Sequence, residues 1–97
     1  MGTESGMLAM TDESERVEGL VLHILREMGV SVVSTSDSFG GLDLDGSEVL
    51  TLLEAVRRQY NKPHLLASEQ EMYSTAAKRD LITVQRFIDA VCVALNV

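Results

Sequence analysis

The stretch of this chain richest in groups able to do chemistry is "FGGLDLDGSEVLTLLEAV", residues 39–56. Asp43, Asp45 and Glu48, with Asp37 just upstream, gather carboxyl groups around one hydroxyl, that of Ser47. Asp45 followed three residues later by Glu48 is a D-x-x-E arrangement, a capping box in which two carboxylates satisfy the unpaired N–H groups of a helix start. The acids then read as a solvated helix start that compensates the dipole, and they fall short of the ligand set of a calcium loop. His23 and His64 lack the Cys or carboxylate company of a zinc ligand or a general base. Cys92 lies in "VQRFIDAVCVAL", an apolar helical pattern, where it reads as a buried structural thiol. No nucleophile, base and orienting group can be assembled, so the chain is not read as an enzyme, and no metal site is assigned.

The elements that must position residues 39–56 follow from periodicity. Residues 1–10 have no period and are read as a disordered tail, with 1–6 fitting a vector-derived scar ahead of a start at Met7. A domain over 11–97 follows. Val17, Leu20, Val21, Ile24, Leu25 and Met28 form one stripe of a first helix, capped by Thr11 or Asp12 and ended by Gly29 in the left-handed conformation. Residues 30–44 make a long loop anchored by Val32 or Val33, Phe39 and Leu42, with a short strand at "VSVV" as the competing reading. The second helix runs from Asp45 to about Tyr60 on an apolar set of Val49, Leu50, Leu53, Val56 and Tyr60, with Leu52 and Ala55 at its margin. Ser68 and Glu71 offer a capping box for a short helix over roughly 69–77 whose weak face is Met72, Tyr73 and Ala76. Thr83 caps a last helix with the stripe Val84, Phe87, Ile88, Val91 and Leu95. The resulting fold class is all-α: an antiparallel four-helix bundle, three helices long and one short, with a long first loop.

Composition limits the partners. The 97 residues suit one core, and with 4% aromatics and no Trp that core must be aliphatic. Residues 1–48 hold ten acids against two Arg, and 49–97 hold five acids against six bases, so the net charge of −7 belongs to the first half. Such a field disfavours nucleic acid and anionic membranes and favours a basic protein partner for a monomer. One cysteine cannot form an internal disulfide, and no run of 18 apolar residues is present, which together suggest a cytoplasmic protein.

Over residues 12–95 the chain resembles the acyl carrier proteins. The resemblance rests on "ERVEGLVLHILREMGV", on "SFGGLDLDGSEVLTLLEAVRRQY" beside the family's F-x-x-L-G-x-D-S-L, and on "ITVQRFIDAV" beside its T-V-x-x-x-I-D-x-I/V. It implies an acyl-carrier-like bundle that holds acyl or aminoacyl groups as thioesters on 4′-phosphopantetheine and presents them to synthase enzymes in fatty acid, polyketide or related biosynthesis. It also implies two kinds of partner: a phosphopantetheinyl transferase, and acyl-transfer or synthase enzymes with basic docking patches. Asp45, Glu48, Val49 and Glu54 would contact those patches, with Arg57 and Arg58 making the end of the second helix basic where the family is usually acidic.

Matching Phe39, Leu42, Leu44 and Asp45 to the motif puts Gly46, which has no hydroxyl, on the attachment-serine position. Ser47, one residue later, is the cofactor-site candidate. It lies about 100° round the helix from Gly46, on the polar face with Thr51, Glu54 and Arg58. Either Ser47 carries the arm or the chain is a docking module without the prosthetic group; a four-helix regulatory or structural protein unrelated to carriers is the reading from another class.

Overall fold

Three amphipathic stripes need one another, and they meet in a single core. The computed structural model describes residues 2–32 and 34–96. It contains α1 (Gly2–Glu27), α2 (Gly46–Tyr60), a 3-10 turn (Ala67–Glu69), α3 (Gln70–Ser74), α4 (Ala76–Arg79) and α5 (Val84–Leu95). Among the described residues there is no strand, only an isolated bridge between Ser38 and Thr83. No helix among them is long and apolar enough to cross a membrane.

The core draws Val17, Val21 and Leu25 from α1, Val49, Leu52, Leu53 and Val56 from α2, and Val84, Phe87, Ile88 and Val91 from α5. α1 packs on both α5 and α2, and α2 packs on α3. The long axis of the molecule, 44 Å, is set by α1, since 26 residues at 1.5 Å rise span about 39 Å. Glu13, Tyr60, Cys92 and Asn96 come together beside the C-terminal end of α5, where the Asn96 amide donates to the Glu13 carboxylate.

Several boundaries differ from the sequence reading. α1 begins at Gly2, so the segment expected to be a tail is helical and neither Thr11 nor Asp12 caps the helix; Met7, Leu8, Ala9 and Met10 are good helix formers, and no proline interrupts them. Its end is as expected: Gly29 has φ 86°, and Val30 N–H reaches the Leu25 carbonyl at 2.9 Å in a Schellman arrangement. Val32 packs against the core, no strand forms there, and Val33 lies outside the described residues.

The expected single helix over 69–77 is two short ones, because Thr75 is extended between α3 and α4. Ser68 makes no capping box with Glu71; the chain enters this region through Leu66 at φ 55°, with no side-chain cap. Burial decides the arrangement here. Tyr73 is buried and meets Phe87 edge-on, ring centroids 5.4 Å apart.

In α2 the buried apolar residues are Val49, Leu52, Leu53 and Val56, while Leu50 and Tyr60 are half-buried. The buried face is therefore centred about 290° from Gly46, some 40° round from the centre that the set with Leu50 implies. α3 also packs against α2, so α2 is covered on a side that α1 alone would leave open.

Candidate functional site

The beginning of α2 is held by a loop that is itself held by the far end of the sequence. Gly40 N–H donates to the Arg79 carbonyl at 3.0 Å and Phe39 N–H to that of Ile82 at 2.9 Å. In return Val84 N–H donates to the Asp37 carbonyl at 2.9 Å and Gln85 N–H to that of Thr35 at 2.8 Å. The loop approaches so closely that any side chain at position 40 would run into Asp80, which accounts for Gly40. Phe39 and Leu44 are buried and pin the loop from inside, and Asp43 turns it with φ 63°. Thr83 closes the other side by accepting from Arg86 N–H at 3.0 Å, capping α5 as its sequence position predicts.

On this frame α2 opens with the expected capping box. Asp45 Oδ1 accepts from Glu48 N–H at 2.8 Å, and Glu48 Oε1 accepts from Asp45 N–H at 3.0 Å. Gly46 is the first helical residue and Ser47 the second. Ser47 is exposed, about 170° from the centre of the buried face, and its carbonyl accepts from Thr51 Oγ1 at 2.9 Å. Of the acidic group, three members serve the local backbone: Asp37 accepts from Ser34 N–H, and Asp45 and Glu48 are joined in the box. Asp43 is exposed. Replacing Asp45 with alanine is expected to lower stability by about 1 kcal/mol, read from chemical denaturation, because it removes one half of the box. Asp45→Asn, which keeps an acceptor, should avoid most of that loss.

Two of the residues expected to meet a partner stand differently. Val49 is fully buried in the core, so its side chain is not presented to a partner. Glu54 is at the surface but engaged, its carboxylate 2.8 Å from Arg57 Nη1. The expected basic end of α2 is also halved. Arg57 is only 7% exposed and spends its Nε–H on the Leu65 carbonyl at 2.7 Å, leaving Arg58 as the exposed cation there. On the helical wheel position 57 lies about 90° from the centre of the buried face, at its edge, so the period of α2 alone does not mark Arg57 as buried.

The remaining chemistry-bearing residues do not converge on α2. His23 contacts Glu27 one turn on, both exposed, and His64 is exposed on the 61–69 connection. No cluster of three His, Cys, Asp or Glu among the described residues could hold a metal ion. Cys92 is half-buried in the last turns of α5; burial pushes its thiol above the ordinary value, and Glu13 and Asp89 push the same way. The fold therefore holds a proton that the unfolded chain gives up first. Its contribution is complete below the unfolded thiol's pKa and is lost as pH rises through the folded one. Cys92 should alkylate more slowly than a free thiol at neutral pH, with stability declining at alkaline pH less steeply in Cys92→Ala. Alkylation as fast as that of a small-molecule thiol would contradict this.

Compared with protein-family models, curated proteins and solved structures, the chain matches none. The chain presents a fixed helix start whose first turn carries one exposed hydroxyl, that of Ser47. A second concavity lies away from it, an apolar groove of about 920 Å³ between residues 61–69 and α5, lined by Pro63, Leu65, Leu66, Ala90, Val93 and Ala94 among others.

Proposed function

We propose that this chain is an acyl-carrier-protein-like domain, an antiparallel bundle that presents the start of its second helix to basic patches on synthase or acyl-transfer enzymes, and that it acts there as a docking module with no prosthetic group on Gly46. The observation that carries the reading is the position of Gly46: it is the first residue of α2, directly after the cap Asp45, on the frame of loop and α5 contacts. The resembled family places its attachment serine at that point. A helix start with free N–H donors suits a phosphodiester, and the acids around it suit a basic partner. Glycine supplies no hydroxyl to attack coenzyme A, so the docking role is kept and the covalent one is lost. The protein is read as non-enzymatic.

A second reading, a working carrier loaded on Ser47, draws on the exposure of that hydroxyl. Against it stands geometry: one residue along a helix shifts the group by about 1.5 Å and about 100°, and a misplacement of about 1 Å can cost 100-fold in rate.

Intact-mass measurement after incubation with coenzyme A, magnesium and a broad-specificity phosphopantetheinyl transferase separates the readings. The unaltered chain should gain no mass, and Gly46→Ser should gain one phosphopantetheinyl group. Gly46 has helical backbone without positive φ, so serine costs no backbone strain there. Loading of the unaltered chain, abolished by Ser47→Ala, would replace the docking module with a carrier whose attachment residue is shifted. A folded Gly46→Ser that stays unloaded would count against the carrier likeness itself.

A further inference from the structure

We draw no further inference here: the strongest candidate, the apolar groove of about 920 Å³ between the 61–69 connection and α5, is an unpartnered surface whose lining charges, Lys62 and Arg86 against Glu69 and Asp89, balance, and nothing in the structure shows what covers it.

Discussion

Phe87→Ala is expected to cost about 3–5 kcal/mol in urea denaturation, the range for removing a buried phenyl group. Phe87 is fully buried and its ring takes two edge-on neighbours, Phe39 at 5.6 Å and Tyr73 at 5.4 Å between centroids. Those neighbours belong to the loop before α2 and to α3, so one side chain of α5 holds both irregular parts of the molecule. Aromatic pairs of this geometry add about 0.5–1.5 kcal/mol beyond the area they bury. Phe87→Leu should recover much of the hydrophobic loss but not the ring contacts. Amide exchange at Phe39 and Leu44 should accelerate in Phe87→Ala more than exchange in α1. A loss below about 1 kcal/mol would mean that the ring is not the joint described.

The second large effect is expected at Arg57. Its Nε–H serves the Leu65 carbonyl and its Nη1 the Glu54 carboxylate, while Nη2 is buried without a partner. Arg57→Ala removes the aliphatic stem as well as both bonds and leaves the Leu65 carbonyl without this donor. A hydrogen bond from a charged donor contributes about 1.5–3 kcal/mol, so a total loss of about 2–3 kcal/mol is expected. Arg57→Met should cost less, since it keeps the volume and removes the unpaired Nη2 along with the buried charge. Glu54→Gln should change stability by less than about 1 kcal/mol, because that carboxylate is 58% exposed and solvent screens the pair. If alanine and methionine at position 57 were equally costly, hydrogen bonding and charge would outweigh packing at this site.

The comparison of these two residues shows which physical information a linear sequence carries. Phe87 lies in a stripe with Val84, Ile88 and Val91, and the period alone marks it as core. The capping box at Asp45 and Glu48, the cap at Thr83 and the left-handed Gly29 were legible for the same reason: each depends on neighbours within a few residues. Arg57 was not, because its burial depends on Leu65, whose carbonyl approaches only after the chain has turned at Asn61 with φ 55°. Ser68 and Glu71 have the right spacing for a box, yet packing of Tyr73 on Phe87 accompanies a different path through Leu66 and Thr75. Leu50 and Leu52 exchange places in the core for a similar reason, since the side on which α3 packs is not written in the period of α2. For the site, the helix start and the exposure of Ser47 could be read in advance. The ties from residues 35–40 to residues 79–85 could not, being backbone bonds that no side-chain pattern encodes.

Those backbone ties also impose an order in time. Residues 35–40 find their partners only when residues 79–85 exist, and a chain emerging from a ribosome exposes its beginning first. A nascent chain that has released Ser47 but not Arg79 has none of the ties to residues 79–85 that anchor the loop leading into α2. Closing a connection across that sequence separation also delays its formation relative to the helices themselves. Any enzyme that reads the assembled start of α2 must therefore act after residues 79–85 have emerged, and truncation before residue 79 would weaken recognition even with every residue of the helix present.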